Sequence, residues 1–155
     1  MAMCACASLM LAYIEALLPP LVPAVPGIKA GLANIMSLFV LYRCGTRSAA
    51  SVCAVRITLA ALLFGGVWPF FYSAAGALFS LSSMHVLKKT RIFSPVGVSI
   101  AGGIAHNVGQ IAFAAATLGT SALWLYMPVL LIAGTLSGTL VGVSSAFLLR
   151  YLKSI

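Results

Sequence analysis

The apolar runs of this chain are continuous rather than alternating, and they are broken only by short clusters of Gly, Pro, Lys and Arg. Continuous runs rich in Ala, Leu and Gly exclude a membrane β-barrel, whose strands alternate between lipid-facing and lumen-facing residues. They also leave too little polar surface for a soluble domain. Of the 155 residues, 63% are hydrophobic and 6% are charged, against ~45–50% and ~25% in ordinary globular proteins. The same figures exclude disorder. They argue against nucleic-acid binding despite a formal net charge of +8. An all-α integral membrane protein is therefore expected. One helical span takes ~20 residues, so the chain accommodates six and leaves no room for a separate soluble domain. Residues 1–155 are read as a single transmembrane domain.

Prolines, glycines and charges place the helices. The first runs over residues 3–18 and is stopped by Pro19-Pro20, because proline lacks an N–H and clashes with the preceding turn. Residues 19–29 carry four prolines and are read as a stiff extended segment. Further helices are expected over 30–42, 49–64, 69–87, 96–118 and 123–152. The apolar N-terminal run has no basic residues ahead of it, so it is read as a retained helix rather than a cleaved signal peptide.

The basic residues then give an orientation. Arg43 and Arg47 follow the second helix, Lys88, Lys89 and Arg91 follow the fourth, and Arg150 and Lys153 follow the sixth. The turns after the third and fifth helices carry no charge. This alternation predicts six spans with both ends in the cytoplasm. Only Lys29 and Arg56 fall outside it, and Glu15 is the sole acid.

Ionisable groups within a span are costly and tend to face protein interior or water. Glu15, Arg56 and His106 are thus the first site candidates. Glu15 lies ~6 Å below the outer end of the first helix and Arg56 ~13 Å below that of the third. Two readings stay open: a buried ion pair pinning two helices, or groups facing a ligand cavity. Lys29, just ahead of the second helix, is either an interfacial lysine or an anion-binding one at a helix N-terminus. Asn34 lies one turn further in. His106, Asn107 and Gln110 are adjacent on the fifth helix, since residues three or four apart share a face. They either glue helices together or form the polar wall of a binding site. These groups converge on one depth in the outer half of the membrane.

Small residues mark close helix packing. Gly134, Gly138 and Gly142 form such a row on the sixth helix. Ser8, Ala12 and Ala16 form another on the first, suited to a helix of this chain or of a partner. Cys4, Cys6, Cys44 and Cys53 show no metal-ligand spacing, so no metal or cofactor is expected. With one acid and no Asp, neither a catalytic triad nor an aspartate-rich magnesium site can be assembled from this chain. No Walker A motif is present. No catalytic residue is assigned.

Residues Pro26-Gly27-Ile28-Lys29-Ala30-Gly31-Leu32-Ala33-Asn34 and Gly102-Gly103-Ile104-Ala105-His106-Asn107-Val108-Gly109-Gln110 resemble the two signatures of the Gx transporter family. Leu63-Phe64-Gly65-Gly66 falls where that family has a similar turn. The family also carries the label heptaprenyl diphosphate synthase component I. It is related to the substrate-binding S-components of energy-coupling factor (ECF) transporters. The resemblance implies a six-helix bundle in the bacterial cell membrane that binds a small ligand from outside. It implies partners as well: a transmembrane coupling protein docked on an Ala-x-x-x-Ala row, matched by Ala12 and Ala16, and separate ATPases. The ligand is expected to be partly apolar with an anionic end. The alternative is a membrane accessory subunit of prenyl diphosphate or quinone synthesis.

Overall fold

A computed structural model describes residues 1–18 and 31–151. Their regular structure is entirely helical. The elements are α1 (Ala2–Leu17), α2 (Asn34–Cys44), α3 (Thr46–Ala60), a π turn (Ala61–Gly65), α4 (Val67–Thr90), α5 (Pro95–Leu118), a 3-10 turn (Ala122–Tyr126) and α6 (Met127–Tyr151). Four segments are long and apolar enough to cross a membrane: Thr46–Gly65, Val67–Thr90, Pro95–Leu118 and Ala122–Tyr151. The helices α1 and α2 are apolar but shorter. The outside of the bundle is that of a membrane protein, with Leu62, Leu78, Leu136 and Phe147 among many large apolar side chains left exposed.

Several helix ends differ from the sequence expectation, each for a local reason. The second helix starts at Asn34 rather than residue 30, after a turn at residues 31–33. The α3 helix starts three residues early, because Gly45 alone, at φ +89°, makes the turn from α2. Arg47 therefore sits in the first turn of α3 and not in a loop. The sixth helix is preceded by a 3-10 turn and becomes α-helical only at Met127. Pro128 is tolerated there because the first N–H groups of a helix have no intrahelical partner. Likewise α5 includes Pro95 as its first residue, with Ser94 Oγ accepting the Gly97 N–H as the cap. The proline segment, Lys29 and Lys153 lie outside the described residues.

Lys88 and Lys89 belong to the last turn of α4 rather than to the following loop. Lys88 Nζ donates to the Leu41 carbonyl at 2.5 Å and lies 5.1 Å from the centre of the Tyr42 ring. It thereby caps α2, whose terminal carbonyls lack intrahelical donors. Thr46 Oγ1 and His85 Nδ1, 2.7 Å apart, join α3 to α4 at the same level. These contacts bring the basic α2–α3 junction and the basic end of α4 to one end of the bundle.

The helices form a ring. The α5 helix packs against α4 on one side and α6 on the other, α6 returns to α2, α2 meets α3, and α3 meets α4. The α1 helix leans on α2 and α3. Lipid tails are as apolar as leucine, so burial from lipid drives little, and close backbone approach carries the packing. The glycine row supplies it. A Cβ at Gly138 would stand 2.6 Å from Ile100 Cα, one at Gly142 2.8 Å from Val96 Cα, and one at Gly134 3.0 Å from Ile104 Cα. Gly109 does the same toward α4, against the Ala75 carbonyl, and Gly102 makes room there for the Met84 side chain.

The bundle is solid at one end and hollow at the other. The packed core joins Leu38, Val40 and Leu41 of α2 to Ala49, Val52, Met84, Val98 and Val141, all near the basic end. Two buried serines fix α2 in it. Ser8 Oγ donates to the Ala33 carbonyl at 2.9 Å, and Ser145 Oγ to the Ile35 carbonyl at 2.8 Å. Further along α3, α4 and α5, away from the basic end, the side chains withdraw and a cavity opens.

Candidate functional site

The cavity has a volume of about 640 Å³. Ala12 and Glu15 border it from α1, and Gly31 and Asn34 from the start of α2. Arg56 and Ile57 border it from α3, and Ala61 and Gly65 from the π turn. Phe70, Tyr72 and Ser73 line it from α4, and Leu123, Tyr126 and Leu130 from the 3-10 turn and α6. The α5 helix contributes a whole stripe, Gly103, His106, Asn107, Gln110, Ile111, Ala114 and Leu118. Spacings of three and four residues keep these on one face.

Six of the seven ligand-site residues nominated from the sequence therefore meet at one cavity: Glu15, Asn34, Arg56, His106, Asn107 and Gln110. The seventh, Lys29, is outside the described residues. The sequence missed Tyr72, Ser73, Tyr126 and Ser137, which add hydroxyls to the lining. Nothing distinguishes these four from the many lipid-facing or helix-packing Ser and Tyr residues of such a chain, and only the tertiary packing brings them to the cavity.

Each polar group has its own local account. Glu15 is buried, and its carboxylate accepts the Gly31 N–H. Gly31 has φ +74°, a conformation that favours glycine, and it turns its N–H back toward α1. Arg56 Nη2 donates to Cys53 Sγ at 3.3 Å, a weak acceptor. Its Nε is buried without a partner. Among the described residues these are the hydrogen bonds of the two side chains, and no ion pair joins Glu15 to Arg56. Both border the cavity.

His106 is wedged against α4. A Cβ at Gly76 would lie 2.8 Å from its Cε1 and 2.9 Å from both ring nitrogens. Asn107 Nδ2 donates to the Leu130 carbonyl at 2.8 Å, so it ties α5 to α6 while lining the cavity. Gln110 has no hydrogen-bond partner among the described residues and is free toward the cavity. Behind the α4 wall, Tyr72 meets Phe113 edge-on at 5.4 Å, and Phe71 stacks on the same ring at 6.1 Å. That cluster holds Tyr72 in place.

The π turn widens the wall. Gly66 N–H reaches the Ala61 carbonyl at 2.8 Å, five residues back. Such turns occur mostly as single insertions in α-helices and often at functional sites.

Of the small-residue row on α1, Ser8 is fully buried against α2 and Ala12 borders the cavity, whereas Ala16 is exposed. At Ser8 and Ala12 the row thus faces this chain's own interior.

Fold and cavity define an all-helical membrane protein with a cavity between its helices that is lined by both apolar and polar side chains. Over residues 3–148 the chain matches the family described as heptaprenyl diphosphate synthase component I, and it belongs to that family. No curated protein and no solved structure matches it.

Proposed function

We propose that this chain is the substrate-binding, S-component-like subunit of an ECF-type importer, capturing a small, partly apolar ligand with an anionic group from the outer side of the membrane. One observation carries the reading. Polar side chains from α1, α2, α3 and α5 line a single cavity, in the half of the bundle remote from the basic α2–α3 junction and the basic end of α4. Its volume of about 640 Å³ suits small-molecule sites, which span ~300–1,000 Å³. Arg56 meets the anionic group. Asn34, His106, Asn107 and Gln110 offer hydrogen bonds, and Phe70 and the leucines take the apolar part.

In this reading all six helices lie in the bacterial cell membrane with both termini inside. The basic end is cytoplasmic by the positive-inside rule, and the hollow half faces out. Energy comes from separate ATPases through a coupling protein. Docking on α1 falls to Ala16 and the exposed Met10, Tyr13 and Ile14, since Ser8 and Ala12 are turned inward.

Native mass spectrometry of the protein purified from its own membranes tests this. A co-purifying small molecule that is lost in Arg56→Gln, with the bundle still folded, supports capture. The absence of any such molecule, together with no associated coupling protein or ATPase, overturns it.

The family's description favours a second reading, an accessory subunit of prenyl diphosphate synthesis. The chain has one acid and cannot by itself build a carboxylate-bound magnesium site for diphosphate chemistry. An accessory role would act by holding the prenyl chain beside a soluble synthase. Co-expression with such a synthase, with product chain length as the readout, separates the two.

A further inference from the structure

We infer that the cavity takes an amphoteric small molecule, one that presents an anionic group to Arg56 and a cationic, proton-donating group to Glu15. The inference rests on the ligand-capture reading and adds the charge pattern of the ligand. Arg56 and Glu15 are the formally charged residues among the described cavity lining, and they are opposite in sign. They do not neutralise each other. Among the described residues, the Glu15 carboxylate is held by one backbone N–H, and the Arg56 guanidinium by a thiol, with Nε buried and unpartnered.

A charge removed from water is unfavourable until it is paired and hydrogen-bonded. A carboxylate has room for more than one donor, and a guanidinium has five N–H groups. Both therefore keep unused capacity facing the chamber. A purely anionic ligand would satisfy Arg56 and leave Glu15 buried, of like charge and without a cationic partner among the described residues. A purely cationic one would do the reverse. A molecule with both groups matches both formal charges, with His106 and Gln110 as further polar neighbours in the cavity lining. Glu15 could otherwise have been replaced by a neutral acceptor, since the Gly31 N–H needs only a lone pair.

Three probes that share a phenylethyl skeleton separate the cases: L-phenylalanine, 3-phenylpropionate without the amine, and phenethylamine without the carboxylate. Binding is measured by calorimetry on the full chain in lipid nanodiscs. Phenylalanine is expected to bind at least about tenfold more tightly than either singly charged probe, as charge-assisted hydrogen bonds allow. Glu15→Gln keeps an acceptor for Gly31 and removes the charge. It should abolish the advantage over 3-phenylpropionate alone. Arg56→Gln should abolish the advantage over phenethylamine alone. Equal binding of 3-phenylpropionate and phenylalanine to the unmodified protein overturns the inference, and so does the failure of all three to bind. The unmodified comparison stands even if a variant does not fold. A co-purifying native molecule with anionic groups only would overturn this inference and leave ligand capture standing. No co-purifying molecule and no associated importer subunits would strike capture itself.

Discussion

The imidazole of His106 on α5 rests directly on Gly76 of α4, so close that a Cβ at position 76 would stand 2.8 Å from Cε1. The absence of a side chain at one position fixes the orientation of a cavity side chain on another helix.

Gly76→Ala is expected to push the His106 ring out of place, at ~1–3 kcal/mol as overpacked sites cost. Unfolding in mixed micelles would measure it. Removing the ring relieves the clash, so the double variant Gly76→Ala/His106→Ala should be less destabilised than the two single effects added together. A strictly additive cycle would show that the two residues do not touch.

The glycine row of α6 should be intolerant where backbone faces backbone. Gly138→Ala places a methyl 2.6 Å from Ile100 Cα and 2.8 Å from the Ser99 carbonyl. Rigid helix backbones must then separate, at ~1–3 kcal/mol. Gly97→Ala is the matched control. Its Cβ would meet Phe93 at an ordinary 3.7 Å, and the change should be neutral or stabilising by up to ~1 kcal/mol. Thermal midpoints in detergent would rank the two, and a reversed order would contradict this packing.

Ser8→Ala and Ser145→Ala each remove one hydroxyl bond to a carbonyl at the start of α2. Interhelical bonds of this kind average ~0.6 kcal/mol in membrane bundles. Each variant should lose about that much. Because the two serines hold α2 from opposite neighbours, α1 and α6, the losses should add. Micellar unfolding of the single and double variants checks both points.

The proposed topology, six spans with both termini inside, predicts a labelling pattern. Cys6 and Cys44 are exposed and Cys53 is buried, and none of them falls on the proposed outer face. A membrane-impermeant maleimide added to intact cells should leave the native chain unlabelled and should label Ser121→Cys in the turn after α5. Cys44 should react only once the membrane is opened. Labelling of Cys44 from outside would reverse the orientation.

Much of the cavity lining was legible in the sequence. His106, Asn107 and Gln110 stand out because three adjacent polar side chains within an apolar run are costly, and helical periodicity puts them on one face. Glu15 and Arg56 stand out for the same energetic reason. Their relationship was not legible. Two opposite charges at similar depth fit an ion pair and a shared cavity equally well, and the choice depends on partners such as Gly31 N–H and Cys53 Sγ that no spacing rule supplies. The roles of Lys88 and Arg47 were half legible. Their charge gave an orientation, but that Lys88 also caps α2 through Leu41 follows only from the packing of α4.

The sequence by itself determined the solvent, the helical class and the level at which polar groups gather, because each follows from transfer free energies and from a fixed helical rise and period. The tertiary structure decided the rest. Glycines at 103, 109, 134, 138 and 142 let α4, α5 and α6 approach to backbone contact, while the bulkier α2 fills the basic end. That uneven packing leaves one half of the bundle hollow. Close packing is a property of surfaces that meet, and the sequence specifies those surfaces only one residue at a time.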